Sequence, residues 1–141
     1  MLEIRLPVIN RLLMTTALLC LSTLARSAVV INEIHHDPDV KTELAEFIEL
    51  HNTGDEPVDL SGWVIEGAIA FTIPDGSKLD GGAFVVVAHN PAQFKAKFGD
   101  SPLGPWLGKL DNDGERIELR DATGQLVDRV RYRLGFPWPI V

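Results

Sequence analysis

Cysteine is almost missing from this chain. Its 141 residues hold one, Cys20, inside an N-terminal segment that reads as a leader. Beyond position 20 no disulfide can brace the fold and no thiol can act as a nucleophile, so the core has to hold unaided. The small residue that precedes a lipid-modified cysteine is also missing, since Leu19 stands there, and Cys20 is expected to be discarded with the leader. Serine chemistry has as little support. No G-x-S-x-G occurs, and Ser61, Ser77 and Ser101 lie in turn-like text. No glycine loop suited to phosphate appears, because "GDSPLGPWLGKL" follows no strand and opens no helix. Positive charge is short: 13 Lys and Arg stand against 20 Asp and Glu, a net of −7. A phosphate-backbone binder needs a basic footprint, so nucleic acid is not the expected partner. Finally, the longest uncharged leucine-rich run, Leu12 to Leu24, is thirteen residues, whereas a membrane-spanning helix takes about twenty.

That run has the surroundings of a secretory signal peptide. Arg5 and Arg11 precede it, and Ala25 and Ser27 occupy the −3 and −1 positions of a cleavage after Ser27. Residues 1–27 are therefore expected to be the signal peptide and 28–141 the mature domain, in a protein that is secreted, periplasmic or held at the cell surface. Only an uncleaved leader would tie it to a membrane. Removing three Arg and one Glu with the leader leaves 114 residues with 10 basic and 19 acidic side chains. This is one domain of ordinary size, and its acidity suits a protein that collects divalent cations.

What remains reads as short strands between turns. "AVVINEI" (28–34), "EFIEL" (46–50), "WVIEG" (63–67), "AFTIP" (70–74), "AFVVVAH" (83–89), "ERIELR" (115–120) and "LVDRVRYR" (126–133) are rich in β-branched and aromatic residues. "HDPD", "NTGDEP", "DGS", "DGG" and "DATG" separate them, and "DNDG" (111–114) reads as a hairpin turn. Many short strands at close spacing imply a sandwich or barrel. One helix is expected over 90–99, with Asn90 as N-cap, Pro91 at the first position, Gln93 completing a capping box and Gly99 at the C-terminal end. Phe94 and Phe98, four apart, share the face that would cover the strand 83–89.

The polar groups crowd around "EIHHDPDVKTELAEFIELHN". In a strand, Glu46 and Glu49 point to opposite faces, as do His35 and His36, so neither pair makes a catalytic dyad. Zinc wants three or four converging ligands, and His51 and His89 would have to arrive from elsewhere in the fold. Calcium can be served by oxygen donors from Glu33, Asp37, Asp39, Glu43, Glu46 and Glu49, with Asp37 and Asp39 its first candidates, against a solvated acidic rim. "DNDG" does not open an EF-hand loop, because Arg116 would stand at position 6 and Ala122 at position 12. Arg129, Arg131 and Arg133 alternate and so line one face. They form either an anion-binding stripe or a row paired across strands with acids such as Glu118. Of the tryptophans, Trp63 is expected in the core, while Trp106 and Trp138, set among Pro and Gly, either cap the sandwich or contact a ligand.

In their order, "VVINEI", "AEFIELHNTGDEPVDLSGWVI", "FTIPDGSKLDGGAFVVVAHN", "LGKLDNDGERIELRDATGQLVDRVRY" and "PWP" resemble the lamin tail domain in its bacterial exported form. The resemblance covers nearly all of 29–139 and is most specific in "EFIELHNTGDEPVDLSGW". It implies an immunoglobulin-like β-sandwich in which Asn32, Glu33, Glu46, Glu49 and Asn52 recur as polar marks of the first hairpin. It also implies a last strand after "PWP" where this chain reaches Val141, so the expectation is either a truncated gene product or an open sheet edge closed by a partner or by self-association. The function that follows is a non-catalytic exported binding module for a protein or cell-surface polymer, with Glu33, Glu46, Glu49, Asn52, Arg129, Arg131, Arg133 and Trp138 as candidate contacts and no cofactor. The alternative is a Ca²⁺-binding accessory domain of an extracellular hydrolase or nuclease system.

Overall fold

The computed structural model describes residues 29–36, 45–111 and 113–133. Asp37, Asp39, Glu43 and Trp138 lie outside them, as does the leader. The described chain forms an immunoglobulin-like β-sandwich in which two antiparallel sheets carry the core. Sheet A takes β1 (Val29–His35), β2 (Phe47–Asn52) and β7 (Phe84–Ala88) in the order β1-β2-β7. A small ladder of β3 (Val58–Asp59) and β6 (Lys78–Leu79), sheet B, closes one end. Sheet C takes β4 (Val64–Gly67), β5 (Ile69–Thr72), β8 (Leu107–Gly108), β9 (Arg116–Arg120) and β10 (Leu126–Arg131) in the order β10-β9-β4-β5-β8.

Period two decides what each strand buries. From sheet A, Val29, Ile31, Ile48, Leu50 and Val87 point inward; from sheet C, Ile65, Ile69, Ile117 and Leu119 meet them. Trp63, Trp106, Leu110 and Tyr132 fill the ends of the same core. Burying each such aliphatic side chain contributes about 1.5–3 kcal/mol, which is how a disulfide-free domain of this size holds. Gly67 ends β4 where no side chain fits: its φ is 115°, and a Cβ there would run into the carbonyl oxygen of Arg116 on β9.

The helix α1 (Pro91–Phe98) has the expected caps. The Asn90 side chain accepts from the Gln93 amide at 3.1 Å, and Gly99 takes φ 89° while its N–H donates to the Lys95 carbonyl at 2.9 Å. It lies on the outer face of sheet A, where Phe94 and Phe98 meet the Phe47 ring edge-on at 5.3 and 5.9 Å. Val86, Ala88 and Phe94 complete that second cluster, which explains the unbroken apolar run of β7.

The sheets also meet along one seam. The register of β1 shifts between Ile31 and Glu33, and that of β10 between Leu126 and Asp128. At these bulges the Ile31 N–H donates to Asp128 Oδ2 at 2.8 Å. A carboxylate thus occupies a ladder position on the β1 edge, a device that discourages pairing with another chain.

One expectation is corrected. "DNDG" is a turn, with Asp111 Oδ1 accepting from the Asp113 amide at 2.9 Å, but it is not a hairpin. The strands around it, β8 and β9, sit apart in sheet C with β5 and β4 between them. The true hairpin is at "DATG", where Asp121 Oδ1 accepts from Thr123 N and Oγ1 and from Gln125 N.

Candidate functional site

Each outer face of the sandwich carries a distinct set of polar groups. On sheet C, Arg116, Glu118 and Arg120 of β9 point outward beside Glu66 of β4 and Arg129 and Arg131 of β10, because Ile117 and Leu119 between them point inward. Glu118 is buried under guanidinium groups. Arg129 Nε donates to its Oε1 at 2.9 Å, Arg116 Nε lies 3.3 Å from the same oxygen, and Arg120 binds its Oε2 while also holding Glu66. Burial raises the Glu118 carboxyl, but the charges of Arg129, Arg116 and Arg120 and the hydrogen bond from Arg120 outweigh it and hold the group below its ordinary value of 4.5.

A carboxyl lowered in the folded state stabilises the fold above its unfolded pKa, and that contribution is lost as pH falls through the folded pKa. Melting temperature followed by circular dichroism should therefore drop on acidification below pH 4.5. Glu118→Gln should lower the melting temperature at neutral pH and flatten this acid limb. An acid limb as steep in the variant as in the parent would assign it to other carboxyls.

The cross-strand pairing expected between the arginine stripe and Glu118 is made by Arg129 alone. Arg131 stands directly opposite Arg116, and among the described residues neither Arg131 nor Arg133 makes an ion pair. Like charges opposed across a ladder repel, and Arg116 is already engaged by Glu118, so Arg131 and Arg133 carry the unpaired positive charge at this end of the face. Beneath it, Tyr132 is buried and its hydroxyl donates to the Asp111 carbonyl at 2.9 Å. Burial first, then the charges of Glu115, Asp111 and Glu46, push this phenol up to about 12, against the lowering effect of that hydrogen bond.

On sheet A the outer face carries opposite charge. Glu49 points away from the core and Glu46 toward it, as alternation requires. The bulge at Asn32 turns both Asn32 and Glu33 outward: Glu33 stands opposite Glu49, and Asn32 Nδ2 donates to Glu49 Oε1 at 2.8 Å. This gathering needs the strand register and a bulge, neither of which period two alone reveals. His51 stacks on Phe84 at 4.1 Å and His35 on Phe47 at 4.9 Å, flanking the two carboxyls.

The remaining candidates go elsewhere. Asn52 is fully buried and ties together the loop 53–57 and the end of β6. Glu46 is buried, with its Oε2 3.8 Å from His89 Nδ1, and His89 stacks on Trp106 at 5.7 Å. The Glu46 Oε2, His89 Nδ1 and Trp106 Nε1 atoms are buried without hydrogen-bond partners. His36 leaves the strand on the other side from His35 and stacks on Tyr132 at 4.8 Å. Among the described residues no group of three or more His, Cys, Asp or Glu could hold a metal ion. Asp37, Asp39 and Trp138 are outside those residues.

Two sheets packed face to face, each with a polar outer face, define the class: an immunoglobulin-like sandwich domain. The sequence comparison places it within that class. The family model of the Lamin Tail Domain matches residues 22–133, and the chain belongs to that family. No curated protein matches it.

Proposed function

We propose that this chain is an exported interaction module without catalysis of its own, which uses the outer face of sheet C to hold an acidic protein or cell-surface polymer. Family membership supports the module reading, and the cationic leader with its leucine-rich run supports export. The observation that carries the choice of face is Arg131 opposite Arg116 with no acid between them. Arg131 is exposed and has no acid partner among the described residues, so its guanidinium keeps its full donor set for carboxylates, while Arg116 is shared with Glu118. Nucleic acid fits less well, because Glu118 and Glu66 sit within the face and the chain is acidic overall.

The test is titration calorimetry with poly-L-glutamate, at low and high salt, on the parent and on Arg131→Glu. The parent should bind, more weakly as salt rises, and the variant should bind at least about tenfold more weakly, the loss of one charge-assisted contact plus new repulsion. The same variant should keep or slightly gain stability, by about 0.2–1 kcal/mol, because the introduced carboxylate would pair with Arg116 across the ladder. Equal affinity in parent and variant, or a stronger hold on duplex DNA than on polyglutamate, would overturn the proposal.

A further inference from the structure

The two outer faces are complementary to each other, and we infer that the chain associates head to tail with a second copy of itself. The guanidinium face of sheet C in one molecule rests on the Glu33–Glu49 face of sheet A in the next. This rests on the reading of sheet C as an anion-binding face and names its occupant.

Each face contains a like-charge pair placed directly across an antiparallel ladder: Arg131 opposite Arg116, and Glu33 opposite Glu49. Each pair is unfavourable alone. Among the described residues no basic group pairs with Glu33 or Glu49, and none of the acids pairs with Arg131, whereas Arg116 is shared with Glu118 at 3.3 Å. Directly opposed side chains on a ladder stand about 5 Å apart on any sheet, so the two cationic and the two anionic groups share a spacing. Docking one face on the other relieves both repulsions with the same contacts.

The apolar part agrees. The helix covers sheet A only at its Phe47 end, which leaves Phe84 51 % exposed and stacked on His51 beside the carboxyls. A guanidinium group that reaches past Glu49 meets these ring faces, a favourable stacking partner for arginine. Because the two faces differ, the contact is heterologous, and unless its rotation closes a ring it continues into short chains. A patch this small gives a weak contact, expected at dissociation constants on the order of 10⁻⁴ M.

Sedimentation velocity on the full chain tests the inference. The parent should show a weight-average sedimentation coefficient that rises with concentration at low salt and collapses to the monomer value at high salt. Two neutralised variants, Arg131→Gln with Arg133→Gln, and Glu33→Gln with Glu49→Gln, should each associate at least about tenfold more weakly. Mixed in equal amounts, they should form a heterodimer and nothing larger, because each retains the face the other lacks. A parent that stays monomeric at millimolar concentration overturns the inference. So does association that survives in either variant or at high salt, which would point to pairing through a sheet edge. Polyglutamate binding without self-association would remove this inference and leave the reading of sheet C standing, whereas loss of both would remove both.

Discussion

Asn52→Asp is expected to cost about 4 kcal/mol or more, a large share of the about 5–15 kcal/mol that holds a domain folded. Asn52 ends β2 with no exposed surface. Its Nδ2 donates to the carbonyls of Glu56 at 2.8 Å, Leu79 at 3.1 Å and Asp80 at 3.2 Å, and its Oδ1 accepts from the Gly54 amide at 3.1 Å. Its main chain is held as well, donating to Ala83 and accepting from Gly82. The side-chain amide therefore joins β2 to the loop after it and to the end of β6, while the main chain holds the far side of the turn that follows. A carboxyl of the same shape carries at most one proton, so it would turn acceptor lone pairs toward three carbonyl oxygens in a site that water does not reach. Asn52→Leu would remove that repulsion but leave the backbone groups unpaired, and it should still cost about 3 kcal/mol. Urea denaturation measures both. A midpoint for Asn52→Asp within about 1 kcal/mol of the parent, at the same slope, would mean that the side chain does not hold these loops together.

Asn52 also marks the boundary of what could be read from the chain. The alternation in 46–52 and 83–89, the caps of α1 and the "DATG" hairpin are local patterns, each spelled out within about ten residues, and each is present in the fold. The immunoglobulin-like sandwich follows from such patterns and from the family motif. By contrast, β3, β6 and β8 are two residues each, too short to show a period. The "DNDG" error has the same root: nothing within four residues says that β8 and β9 are kept apart by two intervening strands. The polar groups follow the rule. That Glu49 faces away from Glu46 is a matter of period two, but that Glu33 joins Glu49 depends on a bulge and on β1–β2 register. That Arg129 finds Glu118 while Arg131 faces Arg116 depends on a shift in the β9–β10 register. A sequence states which side chains share a strand face more readily than which ones meet across it.

Glu46 is the counterpart of Asn52 and should respond with the opposite sign. Both are buried polar side chains at the two ends of β2, but the first is unsatisfied where the second is bonded throughout. Glu46 is 6 % exposed, its Oε2 lacks a hydrogen-bond partner, and the nearest group of opposite character, His89 Nδ1, stands 3.8 Å away and is itself without one. The contact that positions this end of the strand is made by the main chain, through the His89 N–H donating to the Glu46 carbonyl at 2.9 Å, and does not depend on the side chain. A carboxyl oxygen removed from water without a hydrogen bond is a net cost, so an unbranched apolar replacement of similar length returns that desolvation energy. Glu46→Met should therefore stabilise the domain by about 1–2 kcal/mol in urea denaturation, against the prevailing direction of core substitutions. A loss of more than about 1 kcal/mol instead would show that the carboxyl does have a partner in solution. That partner would have to reach Glu46 in a setting that also holds the indole N–H of Trp106 and the Nδ1 atom of His89, neither of which has a hydrogen bond. The sign of this single substitution separates a strained piece of framework from a polar site with an occupant.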